Sequence, residues 1–302
     1  METLISNLEG PVLVLGAGGF IGGNLFRQLG RRSDVYGTWR REQSFRSHRI
    51  TCDLQSNARA VIELVKPATI FDCVAYGGYL NQDDVPRIYD TNVKLKVELL
   101  SWARTYGCTY IHAGSSSEYG AVLDAPPEDT LPRPNSHYAI AKHAAAGLVH
   151  FYGKHRGLRC CNLRLYAVYG AGEPEDNRLI PQLIKAAKAG SYPPLVDPNI
   201  TRDFTHVDDV CEAFVAAAAR LKSQYYGESF NIGTGTATSI RELAGAVRDV
   251  FGLKRDPEFA TQPNREYDFI GRWCSDPRKA LTVLNWRAKI GLREGLELAK
   301  GH

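Results

Sequence analysis

The chain has no Cys-x-x-Cys pair, although seven of its 302 residues are cysteine. Cys52, Cys73, Cys108, Cys160, Cys161, Cys211 and Cys274 are scattered, mostly through apolar runs, and their number is odd. This excludes a disulfide framework and a zinc centre and leaves buried, reduced thiols, so no metal is expected. No apolar run approaches the ~20 residues of a membrane-spanning helix. The opening METLISNLEG has neither the basic start nor the apolar stretch of a signal peptide, so a cytoplasmic protein without a membrane partner is expected. Charge of one sign is also lacking: 37 Lys and Arg against 33 Asp and Glu leave a net +4. That is too weak and too dispersed for nucleic acid, yet it suits a phosphorylated ligand. Repeats, low-complexity stretches and linkers are missing too.

What remains is ordinary globular composition, with 44% hydrophobic and 23% charged residues. The length allows one large α/β domain or two lobes sharing a core. Short β-branched runs alternate with helical patterns. Strands are expected at 11–17, 34–39, 48–54, 68–76, 108–116 and 158–166. Helices are expected near 19–29, 56–65, 85–106 and 136–155. Such alternation predicts parallel pairing with right-handed crossovers, hence an α/β fold with a doubly wound parallel sheet. After Tyr169 the pattern loosens, apart from a clear helix over 207–222 that opens with Asp208 and Asp209. The expected division is a dinucleotide-binding domain over 1–168, rejoined by 205–232, and a smaller mixed lobe from 169–204 and 233–302.

GAGGFIGG, residues 15–23 with the preceding strand end, spaces Gly16, Gly19 and Gly22 as G-x-x-G-x-x-G. It follows an apolar strand and opens a helix beginning Phe20, Ile21, the context that lets backbone N–H groups approach a pyrophosphate. The second strand selects the dinucleotide. It ends Thr38, Trp39, Arg40, Arg41 and has no acid before Glu42. Two guanidinium groups suit a 2′-phosphate, so NADP(H) is favoured and NAD(H) is the alternative. Asp53 could reach the adenine or simply turn the chain. Leu54 beside it and Ala75 near the end of the fourth strand complete the expected cofactor contacts.

Tyr138 and Lys142 stand four residues apart in SHYAIAK and share one helix face. Beside a nicotinamide, the phenol could exchange the proton that accompanies hydride transfer. The ammonium could favour the phenolate and hold the nicotinamide ribose. Ser115, at the C-terminal edge of the fifth strand, is the first candidate for a hydroxyl polarising the same oxygen. Tyr76, Gly77, Gly78 and Tyr79 are expected to line the substrate pocket.

With GAGGFIGG, CDL, TNV at 91–93, GSSSEYG, YAIAK, LRLYAVYG, RDFTHVDDV, FNIGTG and SDPRKAL in order, the chain resembles the extended short-chain dehydrogenase/reductases. Within them it is similar to the NAD(P)-dependent nucleotide-sugar epimerase/dehydratase group. The resemblance implies a nucleoside-diphosphate sugar as substrate. It implies catalytic roles for Ser115, Tyr138 and Lys142, and backbone support from Asn92. It places Ser116 and Ser117 against the sugar and Arg202 and Arg265 on the nucleotide diphosphate or ribose. An ion pair of Arg202 with Asp208 or Asp209 is the structural alternative. It further implies a homodimer through the 85–106 and 136–155 helices. The first of these carries Val85, Ile88, Val93, Val97, Leu100 and Trp102, more apolar surface than a solvent-facing crossover needs.

Departures from the group narrow the chemistry. Dehydratases of the group carry an acid pair directly after the catalytic hydroxyl residue. Here those positions are Ser116 and Ser117, while Glu118 is displaced by one residue. Ala167 replaces a diphosphate-binding asparagine. The favoured function is an NADP(H)-dependent 4-ketoreductase or dehydrogenase of a nucleotide sugar, with segments resembling deoxysugar 4-ketoreductases such as CDP-abequose and CDP-paratose synthases. The alternative is a 4-epimerase with retained NAD, and a non-catalytic NADP-binding regulator is the third reading.

Overall fold

The computed structural model describes residues 1–40, 48–122, 124–174, 178–264 and 271–301. Its strands are β1 (Val12–Leu15), β2 (Val35–Trp39), β3 (Arg49–Thr51), β4 (Thr69–Asp72), β5 (Thr109–Ser115) and β6 (Cys160–Leu165), then the short β7 (Ala167–Tyr169), β8 (Thr201–Arg202) and β9 (Phe204–His206), then β10 (Ser229–Ile232) and β11 (Thr238–Ser239). The helices are α1 (Glu2–Ser6), α2 (Phe20–Leu29), α3 (Leu54–Val65), α4 (Val85–Tyr89), α5 (Leu95–Thr105), α6 (His137–Arg156), α7 (Leu179–Lys188), α8 (Val207–Arg220), α9 (Ile240–Phe251), α10 (Arg278–Leu284) and α11 (Leu292–Lys300).

β1 reads VLVL and is buried at every position. A strand apolar on both faces needs cover on both, which a parallel sheet with crossover helices supplies. Seven strands pair in parallel in the order β10-β6-β5-β4-β1-β2-β3. One core cluster joins β1 and β5 to α2 and α8; a second joins the other face to α3, α5 and α6. The strand order reverses between β1 and β4, and the crevice beyond the strand ends there is where such sheets bind ligands.

The helix ends follow local chemistry. Asp53 caps α3 by accepting from Gln55 N at 3.1 Å, which shortens the expected third strand. Ser136 caps α6 by accepting from Ala139 N at 3.1 Å, and Gly157 closes it in the left-handed conformation. The expected 85–106 helix is broken by a π-helical turn over Asp90–Lys94, between α4 and α5.

A third cluster unites α7, α9 and α11 with Tyr169 and Phe204 as a smaller lobe. α8 and β10 return to the main sheet. So does α10: Ala280, Leu284 and Trp286 join the first cluster, and Trp286 Nε1 donates to Asp209 O at 2.9 Å. Part of the 233–302 segment expected in the second lobe thus packs with the first cluster, through Ala280, Leu284 and Trp286.

Candidate active site

Gly16 leaves β1 with φ at +78° and donates its N–H to Thr38 Oγ1 at 3.0 Å. Gly22, one turn into α2, faces it so closely that a Cβ would run into the Gly16 carbonyl. Strand and helix thus pack nearer than side chains allow. The open start of α2, after Gly19 and with Phe20 and Ile21 in its first turn, fits a pyrophosphate. At the end of β2, Trp39 stands where an acid would hold a ribose hydroxyl. Its indole is buried, edge-on to Phe26 at 5.0 Å between centroids, with the Arg49 guanidinium 4.9 Å over its face. Arg40 is exposed beside it. Arg41 and Arg265 lie outside the described residues. Asp53 is an exposed cap, and Leu54 is a core residue beneath α3. Ala75 is exposed at the start of the loop after β4.

Ser115 is the last residue of β5 and the cap of a 3₁₀ turn over Ser116–Tyr119. Its Oγ accepts from Ser117 N at 3.2 Å, and its own N–H donates to Glu118 Oε1 at 2.9 Å. Glu118 is fully buried, ion-paired with Arg164 Nε at 2.8 Å and bonded by Asn162. It is an internal anchor for the strand end. Ser116 is buried and Ser117 half-buried.

Tyr138 lies in the first turn of α6, and the Gly77–Gly78 backbone passes over its ring. A Cβ on Gly78 would stand 3.6 Å from the phenol oxygen. Burial raises the Tyr138 pKa, opposed by a hydrogen bond with the Ser115 side chain and by the Arg178 charge. Lys142 is almost wholly buried, with Nζ 6.0 Å from the Tyr138 ring centre and donating to Ala113 O at 2.7 Å. Burial lowers its pKa, opposed by Asp72 and Glu118. In the free protein the Lys142 ammonium is directed at a carbonyl, and burial is the largest influence on the phenol.

The model of the NAD dependent epimerase/dehydratase family matches residues 12–233. The chain belongs to that family. A UDP-glucose 4-epimerase of Mycolicibacterium smegmatis is 30% identical over 94% of this chain and 95% of its own length. The structure of MoeE5 with UDP-glucose and NAD is 32% identical, with TM-score 0.84 over 97% of this chain and 98% of that one. The Thermus thermophilus UDP-glucose 4-epimerase with NAD is 26% identical, with TM-score 0.83 over 96% and 98%. The relatives are mostly UDP-sugar epimerases, which corrects the resemblance to deoxysugar 4-ketoreductases.

Of two buried networks, the one at Asn92 was implied by the TNV motif and the one at Asp72 escapes a reading by motif. Asn92, in the π-helical turn, donates to Tyr76 O at 2.6 Å and to Ile88 O at 2.9 Å, fixing the loop after β4. Tyr76 itself is half-buried under the Arg87 guanidinium, 4.3 Å from its ring centre. Below, fully buried Asp72 accepts from Lys96 Nζ at 2.8 Å, Tyr110 Oη at 2.6 Å and His112 Nδ1 at 2.9 Å. The signal available in sequence was Asp72 in the apolar run TIFD and Lys96 in LKVELL.

Arg202, in β8, donates to Thr201 O at 2.8 Å and lies 5.9 Å over the Trp273 ring. Of its two candidate ion-pair partners, Asp209 receives the Lys289 and Ile290 N–H groups and Asp208 bonds Gln28. The adjoining Asp203 is the hub that sequence reading missed. It accepts from Thr234, Gly235 and Ser275, tying the RDF, NIGTG and SDP segments together.

Proposed function

We propose that the protein is a nucleotide-sugar 4-epimerase acting on a UDP-hexose with a retained dinucleotide. The observation that carries this is the grouping of Ser115, Tyr138 and Lys142 at the sheet's switch point, with serines and not carboxyls at 116 and 117. An elimination of water needs placed acid and base groups, and Glu118 is committed to Arg164. The relatives named above support epimerisation over net reduction.

In this reading Tyr138 removes the C4 hydroxyl proton while Ser115 holds the oxygen. A bound nicotinamide supplies the acceptor, and then the donor, for the hydrogen on C4. The 4-keto sugar turns over in the pocket and presents the other face of C4 for return of the hydrogen, and Tyr138 returns the proton to the C4 oxygen. Lys142 keeps further N–H donors beyond the Ala113 bond for a ribose and adds positive potential. Asn92 holds the Tyr76–Gly78 backbone against the phenol.

A second reading, an NADPH-dependent 4-ketoreductase, is favoured by Trp39 and Arg40 at the place of the acid on β2. Mass analysis of the dinucleotide released on denaturation separates the two. Bound NAD is expected. A dinucleotide-free protein that oxidises added NADPH with a UDP-4-keto sugar would overturn the epimerase reading.

We also propose a homodimer through the 85–105 helical run and α6, as the exposed Val97, Ile140 and Phe151 support. The apolar surplus is smaller than expected: Ile88 and Leu100 are buried in the subunit's own core, and Val85, Val93 and Trp102 are half-buried.

A further inference from the structure

Glu173 follows β7, in a loop that Asn24 of α2 holds by donating Nδ2 to Ala171 O at 2.8 Å. Arg178 caps the start of α7. Neither was marked by sequence, yet the Arg178 charge acts on the catalytic phenol, and Glu173 lies against Arg178. The Glu173 side chain is 4% exposed, and its buried Oε2 has no hydrogen-bond partner among the described residues. Arg178 Nε lies 3.2 Å from Glu173 Oε1, but its N–H is out of line with that oxygen and is also unused. The guanidinium lies 5.1 Å over the Tyr79 ring. Its charge opposes the rise that burial imposes on the Tyr79 and Tyr138 phenols. Burial pushes Glu173 up to about 8, against the pull of Arg178.

Buried polar atoms are seldom left unpaired, and those that are mark places for a ligand or water. Here an unused acceptor and an unused donor lie side by side. A hydroxyl satisfies both, donating to Oε2 and accepting from the Nε–H. A carboxylate can only accept, and above about pH 8, where Glu173 is ionised, it sets a like charge against it. We propose that Glu173 and Arg178 read the sugar, taking a hydroxyl substituent of the bound hexose and disfavouring a carboxylate in the same place. The assignment rests on the nucleotide-sugar reading above.

Calorimetric titration of the full chain at about pH 9, where Glu173 is ionised, with UDP, UDP-glucose and UDP-glucuronic acid tests it. The wild-type protein is expected to bind UDP-glucose about tenfold more tightly than UDP-glucuronic acid, a difference of about 1.4 kcal/mol. Glu173→Gln keeps an acceptor and removes the charge, so the preference is expected to shrink to about threefold or less. Equal binding of the two sugars by the wild type, or the same ratio in wild type and variant, with UDP bound throughout, would overturn the role of the pair alone. Failure to bind UDP would overturn the nucleotide-sugar reading and the pair with it. If Glu173→Gln lacks a melting transition, Arg178→Gln replaces it. An expected loss of about threefold or more in UDP-glucose affinity then decides, and unchanged affinity overturns the proposal.

Discussion

At Tyr138, burial raises the pKa of the phenol while the Ser115 side chain and the Arg178 charge pull it down. Tyr138→Phe keeps the ring and removes the proton carrier. Turnover is expected to fall by about 10²–10⁴-fold in a sugar-nucleotide assay, with dinucleotide binding by fluorescence titration retained. Glu173 gives a pH signature. Its folded pKa, about 8, is above its ordinary 4.5. Its relative stabilisation is therefore complete below the ordinary value and is lost as pH rises through 8. Melting of wild type and Glu173→Gln from pH 5 to 9 should show the wild type losing ground steadily, and a constant difference would refute the shifted carboxyl. Ser115, Tyr138, Lys142 and Gly16–Gly22 were legible because their spacing is local. Trp39 was read as part of a charged strand end, and its burial against Phe26 and Arg49 emerged only from packing. Glu173 and Arg178 acquire meaning only when the chain between β7 and α7 brings them together.

Among the elements, β4 and β5 share a buried charge. Burial opposes the Asp72 carboxylate, but Lys96 from α5 and His112 from β5 hold it well below the usual range. Its contribution is present above the ordinary carboxylate pKa of about 3.9 and lost as pH falls below it. Lys96→Met leaves the charge buried without its ammonium partner, and the urea midpoint should fall by the equivalent of about 3–5 kcal/mol. A change under 1 kcal/mol, roughly a surface pair, would show that His112 and Tyr110 suffice. Strand and helix existence was legible from period and, at Val207, from the acids of the first turn, whereas the caps at Asp53 and Ser136 were not read. The π-helical turn at Asn92 was not, because one extra residue in a turn leaves the apolar pattern of 85–106 almost unchanged.

At the scale of the whole molecule, the alternation of strands and helices already dictated the doubly wound sheet. The smaller lobe was less legible, since its strands are two or three residues long and α10 returns to the sheet against chain order. Val97, Ile140 and Phe151 remain exposed on α5 and α6, and a dimer is the expected use of that face. Light scattering at micromolar concentration should give twice the chain mass, and a Val97→Asp, Phe151→Asp double variant should give the single mass. A wild-type monomer would refute the pairing. The most direct test of the central claim is NMR of UDP-glucose incubated with the purified protein in D₂O, with no dinucleotide added. Ser115, Tyr138 and Lys142 acting with a retained dinucleotide should convert it to the C4 epimer with the C4 hydrogen kept as protium. Unchanged UDP-glucose, alongside one NADPH consumed for each UDP-4-keto sugar reduced in a parallel incubation, would contradict the account.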